Sequence, residues 1–225
     1  MDLEFIQRTV PILLQGLTKT LILSGLAIVF GFSLGLGLAL MRLSSNTKLA
    51  KLAKGYSTFF RGTPLLVQIF LIYYGFGQFD FVRQNAVLWW VFGDGTRCAI
   101  LALSLNTAAY TSEILRGGLM SVPSGLMEAA KACGMGRFLQ FRRIRFPLAL
   151  RQALPAYGNE VILVVKGTSL ASTITVLEIT GYAKRLMSQT YAIFEVFALA
   201  GALYLGISLV LILVVRVLER RLAIG

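Results

Sequence analysis

The sequence contains no histidine and only two cysteines among its 225 residues. Cys98 and Cys133 are far apart and form no CxxC pair, so the usual zinc sites and Cys/His catalytic pairs are excluded. We interpret both cysteines as small, buried, apolar residues. A GxxxxGK[ST] loop and a GxSxG turn are also missing from the sequence. The chain therefore offers no motif for enzyme chemistry, and we expect neither a catalytic residue nor a metal site.

Charged residues are scarce as well, at 14% of the chain, whereas 56% of the residues are hydrophobic. A soluble domain of this composition would have too few polar residues to cover its surface, which indicates a membrane protein. The net charge of +12 does not indicate a nucleic-acid partner, because the cations lie in the gaps between apolar runs and not on one water-facing surface. The N-terminal stretch MDLEFIQRTVPILLQG lacks the basic leader of a cleaved signal peptide, so we expect the first apolar run to remain in the mature protein.

Five apolar stretches are long enough to cross the hydrocarbon core of a bilayer, which takes about 20 residues. They cover residues 17–41, 55–79, 98–118, 155–179 and 194–215. Helices satisfy backbone hydrogen bonds in lipid, so the predicted fold is an all-α membrane protein with five transmembrane helices in a single domain, residues 1–225. The residues before Gly16 predict a short interfacial piece. Gly31 and Gly35, four residues apart, predict a face for close helix packing.

The distribution of cations predicts the orientation of these spans, because cytoplasmic loops collect Lys and Arg. The loop after the first span is basic and has no acid, and the loop between the third and fourth spans has Glu128 as its one acid among many cations. The loops over residues 80–97 and 178–195 have balanced charges. We therefore expect the N-terminus outside the cell and the C-terminus in the cytoplasm.

The cytoplasmic segment between the third and fourth spans, residues 121–147, includes the stretch EAAKACGMGRFLQFRRIRFP. Good helix formers interrupted by Gly134 and Gly136 predict two short helices joined by a turn. Ser124 is a candidate cap for the first helix, and Glu128 lies in its opening turns, where a negative charge suits the helix dipole. The chemistry of the segment fits either a docking surface for a partner or an amphipathic loop that lies on anionic lipid through its arginines.

This stretch resembles the EAA signature of importer-type ABC permeases, Glu-Ala-Ala-x3-Gly-x9-Ile-x-Leu-Pro. The matching residues are Glu128, Ala129, Ala130, Gly134, Ile144 and Pro147, with Phe146 in place of the usual Leu. The resemblance favours the docking surface over the lipid-bound loop. It implies that the segment forms a coupling helix, which inserts into a groove on an ATP-hydrolysing subunit. The implied coupling residues are Glu128, Ala129, Ala130 and Gly134.

Three further stretches, FFRGTPLLVQ, LNTAAYTSEILRGG and ALPAYGNEVILVVKGTSLAS, resemble the polar amino-acid branch of these permeases. The resemblance is strongest to the M-type permeases of histidine, lysine, arginine, ornithine and opine uptake in Gram-negative bacteria. It implies a multi-pass permease subunit of the bacterial inner membrane, without ATPase activity of its own. The implied partners are a second, paralogous permease chain, an ATPase homodimer and a periplasmic substrate-binding protein. No cofactor is implied for this chain, since ATP and Mg²⁺ bind to the ATPase.

Ionisable residues at bilayer depth are costly, so they mark either function or specific pairing. On the third predicted span Asn106 and Glu113 share a face, and on the fourth Asn159 and Lys166 do. The antiparallel register of the two spans puts Glu113 level with Glu160 and Asn106 level with Lys166. These polar residues of the third and fourth spans, which we call the polar wall, form either an interhelical network, for example a pair between Glu113 and Lys166, or part of a substrate pathway.

In the family that the chain resembles, the substrate passes between two permease chains. A cationic substrate there needs an anion in place of lost water, and Glu160 is the candidate. Asn159 and Asn106 are candidates to bind the ammonium or carboxylate of an amino acid. Thr168 and Ser169 are either further donors or bond back to their own helix. The candidate substrate-binding residues are Glu160, Asn159, Asn106, Thr168, Ser169, Glu113 and Lys166.

The predicted function is that of a permease subunit that imports basic amino acids or opines by alternating access, coupled to a separate ATPase. Permeases for other polar amino acids fit the same residues. A self-sufficient secondary transporter fits less well, because such proteins usually show two halves with broken helices. A membrane scaffold would explain the cytoplasmic segment but not the polar wall.

Overall fold

A computed structural model describes residues 3–222, and every regular element in that range is helical. The helices are α1 (Leu3–Arg42), α2 (Thr47–Gly62), α3 (Leu65–Phe70), α4 (Asp80–Gln84), α5 (Ala86–Phe92), α6 (Gly95–Met120), α7 (Ser124–Ala132), α8 (Arg137–Gln140), α9 (Phe146–Gly167), α10 (Ile179–Thr190) and α11 (Ile193–Leu222). Both chain ends, whose sides of the membrane the cations predict, lie outside the described residues.

Within residues 3–222, three helices, α1, α6 and α11, are long and apolar enough to cross a membrane. Two bent helix pairs, residues 47–78 and 137–190, each pass the same test as a unit, which gives up to five spans. The five-span prediction agrees with the upper value, and the sidedness of the spans stays a prediction. All five segments extend beyond at least one predicted boundary.

The first helix is continuous over 40 residues, so the stretch before Gly16 belongs to the same helix as the first span, and its place at the interface stays a prediction. This part of α1 packs on protein. Leu13 is fully buried in a cluster with Ile179 of α10 and Val196 of α11, and Phe5 packs against the same cluster. Those contacts hold the residues in the helix.

The second span is broken, whereas the sequence predicted one stretch over residues 55–79. Thr63 has an extended backbone, as the residue before a proline prefers, and Pro64 supplies no backbone N–H. The chain resumes at Leu65 at an angle of 102° to α2. After α3 it continues through a π-helical turn, Leu71–Gly75, and a 3-10 turn, Phe76–Gln78.

The fourth span is also interrupted, near its predicted end. After α9 the chain forms a 3-10 segment, Thr168–Ile174, and then turns at Thr175, whose φ of 68° is left-handed. The following helix, α10, forms a bend of 47° with the preceding helical stretch.

Glu178, which the sequence placed in an outer loop, is fully buried at the start of α10. Its carboxylate accepts hydrogen bonds from the backbone N–H groups of Thr180 and Gly181, at 3.0 and 2.8 Å, and from the hydroxyl of Tyr204. This acid is therefore a structural cap of α10.

The segment predicted to be cytoplasmic, residues 121–147, forms two short helices, α7 and α8, joined by a turn around Gly134, as the sequence predicted. The cap predicted at Ser124 is wrong, because Pro123 occupies the cap position and no side chain caps α7. Cys98 is buried as predicted, whereas Cys133 is exposed because it lies in this turn.

The predicted close packing at Gly31 and Gly35 is confirmed, and the partner helix is α6. A Cβ atom on Gly31 would lie 2.1 Å from Cγ2 of Thr107, and one on Gly35 would lie 2.8 Å from Cβ of Thr111. These separations leave no room for a side chain, so the two glycines fix α1 against α6 in a parallel arrangement.

Candidate functional site

A cavity of about 190 Å³ opens between α6, α9 and the start of α3. Its lining residues are Leu65, Leu103, Asn106, Thr107, Tyr110, Glu160, Leu163 and Val164. Two predicted site residues, Asn106 and Glu160, therefore meet in one cavity. The predicted register is wrong, because α9 brings Glu160 opposite Thr107, six residues before Glu113 on α6.

Glu160 is the acid of this cavity and is 7% exposed. Its Oε1 atom accepts a hydrogen bond of 2.7 Å from Oγ1 of Thr107. Within residues 3–222 no Lys or Arg forms an ion pair with this carboxylate, and Oε2 has no hydrogen-bond partner. A buried carboxylate without a cation is costly, so a cationic group that entered the cavity would be stabilised there.

Asn106 supports the break in the second span and also lines the cavity. Its Nδ2 atom donates to the carbonyl of Phe60 at 3.3 Å and to Oε1 of Gln68 at 3.0 Å. Gln68 in turn donates to the carbonyl and the hydroxyl of Thr63, at 3.1 and 2.8 Å. Because the amide N–H groups of Asn106 are used in this way, its Oδ1 is the atom left for a ligand. The cavity thus offers acceptors, which suits a ligand that donates.

Thr107 is not among the site residues predicted from the sequence, although its hydroxyl holds Glu160. A signal was present: Thr107 is a polar residue in an apolar helix and lies three residues before Tyr110, which shares the cavity. The apolar lining residues carried no comparable signal, because Leu and Val are expected throughout a membrane helix.

Glu113 does not lie in the cavity. It forms ion pairs with Arg42 at the end of α1 and with Arg116, whose Nε is 2.9 Å from Oε2 of Glu113. The suggested pair between Glu113 and Lys166 is therefore wrong. The physical reason is that the parallel packing of α1 and α6 brings Arg42 to Glu113.

Asn159 and Lys166 lie on one exposed face of α9, as their spacing predicted. Leu163 lies between them on that face and also lines the cavity, so the face borders the cavity without entering it. Lys166 forms no ion pair with any acid of residues 3–222.

The hydroxyls of Thr168 and Ser169 bond back to the preceding turn. Thr168 is buried and donates to the carbonyl of Val165 at 2.6 Å, and Ser169 donates to the carbonyl of Lys166 at 2.7 Å. Of the two interpretations of these residues, the local hydrogen bonds are the one that the geometry favours.

The second candidate site is the turn that ends α7. The N–H of Gly134 donates to the carbonyl of Lys131 at 3.0 Å, and that of Met135 donates to the carbonyl of Ala130 at 3.1 Å. This is the Schellman arrangement, in which the residue at the Gly134 position must be left-handed, and its φ is 76°. Glu128 and Ala129 are exposed beside it, and Ala130 is buried. Gly134 thus permits the left-handed backbone of an exposed turn, and the alanines beside it have small side chains.

The chain matches the family model described as the binding-protein-dependent transport system inner membrane component, over residues 27–224. Among curated proteins it is 55% identical to the nopaline transport system permease protein NocM of Agrobacterium fabrum, over 97% of this chain and 91% of that protein. It is 53% identical to the octopine transport system permease protein OccM of Rhizobium radiobacter, over 97% and 89%. With the arginine ABC transporter permease protein ArtM of Escherichia coli it shares 45% identity, over 76% of each chain.

Among solved structures, a chain of an amino acid ABC transporter crystallised with histidines superposes with a TM-score of 0.86 at 34% identity, over 98% of this chain and 99% of that chain. The MetNI methionine ABC transporter gives a TM-score of 0.78 at 19% identity, over the whole of both chains, and this second likeness concerns the fold alone. The chain therefore belongs to the family of binding-protein-dependent transport system inner membrane components, the multi-pass permease subunits of ABC importers.

Proposed function

We propose that this permease forms one half of a pathway for basic amino acids or their opine derivatives, and that Glu160 receives the cationic end of the substrate. The observation that carries the proposal is the buried carboxylate of Glu160, which lines the cavity and has no cation partner among residues 3–222. A guanidinium or ammonium group that leaves water needs such an anion.

The names of the relatives support this choice of substrate. Two of them are permeases for opines, nopaline and octopine, and a third is a permease for arginine. All three substrates carry a guanidinium group, which is always charged and donates in a fixed fork that a carboxylate accepts. The acceptors of the cavity, Glu160 and Oδ1 of Asn106, match this donor. Amino acids without a basic side chain have only the α-ammonium group as a cation, and their own carboxylate already balances that charge.

The partners follow from the same assignment. A second permease chain would complete the pathway on the open side of the cavity, an ATPase homodimer would dock on the turn around Gly134, and a periplasmic binding protein would deliver the substrate. ATP and Mg²⁺ would be held by the ATPase, and ATP binding and hydrolysis would drive alternating access. In this orientation the N-terminus lies outside and α7 lies in the cytoplasm, as the distribution of cations predicts.

Replacing Glu160 by Gln tests the proposal, because the change removes the charge with little change in volume. Removing one side of a desolvated charge pair costs about 2 to 5 kcal/mol, so uptake of arginine and opines should fall at least about thirtyfold. The measurement is uptake of radiolabelled substrate into proteoliposomes that contain the assembled transporter, with ATP hydrolysis measured in parallel.

Glu4→Gln is the matched control, because Glu4 lies on the exposed surface of α1 and pairs only with Arg8 among the described residues. It should leave both uptake and ATP hydrolysis unchanged. Basal ATP hydrolysis should also survive in Glu160→Gln, since Glu160 is remote in sequence and in fold from α7. Normal uptake of arginine and opines by Glu160→Gln would contradict the proposal.

A further inference from the structure

A second and larger concavity, which we call the α1–α6 groove, lies outside the candidate site. Its volume is about 710 Å³. Its lining residues come from α1, α5 and α6: Leu26, Phe30, Ser33, Leu34, Trp90, Val91, Arg97, Ile100, Leu101, Ser104 and Leu105. Apart from two serines, whose hydroxyls donate to carbonyls of their own helices, and one arginine, the lining is apolar.

The groove runs along the helices, with its charged residue at one end. Arg97 lies in the first turn of α6, and the lining continues down that helix to Leu105. Eight residues of helix correspond to about 12 Å. This length is close to half of the hydrocarbon thickness of about 30 Å. The groove therefore has the length of one leaflet, with a cation at its rim and apolar side chains below.

The guanidinium of Arg97 is poorly matched within the chain. It stacks over the ring of Trp90, with Cζ 4.5 Å from the ring centroid. Its Nε finds no hydrogen-bond acceptor among residues 3–222. Asp94 is close, but its Oδ1 lies 3.7 Å from Nε, and the same oxygen already accepts from the backbone N–H of Arg97 at 2.9 Å. Asp94 thus offsets part of the charge without a direct hydrogen bond.

A phosphate group suits the guanidinium of Arg97, whose side chain is 35% exposed, because guanidinium binds phosphate oxygens through charge-assisted hydrogen bonds. Tryptophan beside the cation is typical of the depth at which lipid headgroups lie. An acyl chain below the phosphate fits the apolar lining of the groove. The groove presents first a cation, then an aromatic ring and then aliphatic side chains. This order matches the order of phosphate, headgroup region and acyl chain in a phospholipid.

We infer that the α1–α6 groove binds an anionic phospholipid, with one acyl chain between α1 and α6 and the phosphate on the guanidinium of Arg97. The inference is independent of the proposed function, because the groove shares no residue with the cavity around Glu160. A lipid at this place would pack against both helices that Gly31 and Gly35 hold together, and would stabilise their arrangement.

The test is native mass spectrometry of the full chain, purified in mild detergent with the subunits that assemble with it, after addition of phosphatidylglycerol. Arg97→Gln should lower the occupancy of bound phosphatidylglycerol by roughly tenfold, since the hydrogen bonds lost involve charged groups. Arg83→Gln is the matched control, because Arg83 is exposed, donates to the carbonyl of Gly77 and does not line the groove. Its lipid occupancy should equal that of the unchanged protein.

A second variant fills the groove and leaves Arg97 in place. Ser33→Trp should also reduce bound phosphatidylglycerol, whereas Leu21→Trp, at an exposed position of α1 outside the groove, should not. Unchanged lipid occupancy in either Arg97→Gln or Ser33→Trp would overturn the inference. A photo-crosslinker at position 33 distinguishes the other possible occupant: capture of phosphatidylglycerol supports the lipid site, and capture of a second permease chain in its place would overturn it.

Discussion

The hydroxyl of Thr107 donates to Oε1 of Glu160 over 2.7 Å, while the methyl group of the same residue packs on Gly31 of α1. One side chain therefore joins the helix-packing face to the candidate substrate site. The hydroxyl orients the carboxylate from α6, and the absence of a side chain at Gly31 lets α1 support Thr107 from behind. The two functions of Thr107 can be separated by substitution.

Thr107→Val removes the hydroxyl but keeps the shape of the side chain. A hydrogen bond to a charged group contributes about 1.5 to 3 kcal/mol, so we expect kcat/KM for arginine uptake to fall roughly tenfold or more. Thr107→Ser is the counterpart, because it keeps the hydroxyl and loses the methyl contact with Gly31. Uptake kinetics in proteoliposomes measure the difference, and a Val variant as active as the unchanged protein would show that Thr107 serves packing alone.

Gly31→Ala tests the other function of the same contact. The added Cβ would lie 2.1 Å from Cγ2 of Thr107, so α1 or Thr107 must move. Overpacking of this kind costs about 1 to 3 kcal/mol, and we expect a lower melting temperature of the purified protein. Gly37→Ala is the control on the same helix, because nothing lies within 4 Å of the Cβ that it adds. Equal melting temperatures for the two variants would contradict the close packing of α1 on α6.

The ion pair between Arg42 and Glu113 predicts a structural role for Glu113. In a double-mutant cycle, Arg42→Gln and Glu113→Gln should show a coupling energy of about 0.5 to 3 kcal/mol in thermal stability. Lys166→Gln combined with Glu113→Gln should show none, because these two residues do not pair in the structure. The KM for substrate should be unchanged in Glu113→Gln. An increase in KM would contradict the structural role and show that Glu113 belongs to the substrate site.

Much of this arrangement is visible in the sequence. The apolar stretches predict helical segments, because the bilayer leaves the backbone no other partner, and the spacing of Gly31 and Gly35 predicts a packing face. Asn106 and Glu160 are predictable site residues because polar residues at bilayer depth are rare. In each of these cases one local rule was sufficient.

The failures have a common cause, which is that long-range contacts override local patterns. The packing of the first turns of α1 on protein is not visible in the sequence, because Leu13 meets α10 and α11 only in the folded chain. Glu178 read as a loop acid because the N–H groups that it caps follow a bend that the sequence does not mark. Glu113 could not be matched with Arg42 by counting residues on two neighbouring spans, since its partner comes from a third helix.

The turn at Gly134 leads to a prediction about coupling to ATP hydrolysis. Its φ of 76° suits glycine, tolerates Asn and strains other residues, and nothing in the described chain lies within 4 Å of an added Cβ. Gly134→Asn should therefore keep the turn, whereas Gly134→Leu should both strain the turn and obstruct a docked ATPase. We expect Gly134→Leu to separate ATP hydrolysis from uptake while membrane insertion is unchanged. Normal uptake per ATP hydrolysed in this variant would contradict the assignment of a docking surface.

Gly136→Leu is the matched control for that experiment. Gly136 is two residues further along the same exposed turn, its φ is −66°, and it also has open space around it. A leucine there introduces the same apolar side chain without backbone strain. We expect its uptake to be less impaired than that of Gly134→Leu.

Lys166 provides a prediction that distinguishes opines from arginine. Six residues of α9 separate Glu160 from Lys166, which corresponds to about 9 Å along the helix axis. Octopine and nopaline are derivatives of arginine with additional carboxylates on the α-nitrogen. With the guanidinium at Glu160, these carboxylates would lie toward the exposed face that carries Lys166, where a free ammonium group can meet them.

Lys166→Gln should therefore raise the KM for octopine and nopaline by roughly fivefold to tenfold, the effect of about 1 kcal/mol, and leave the KM for arginine within about twofold. Competition assays in proteoliposomes, with Lys184→Gln on α10 as a control for the loss of a positive charge, would measure both values. An equal increase in KM for all three substrates would show that Lys166 acts on the permease as a whole and not on the carboxylates of the opines.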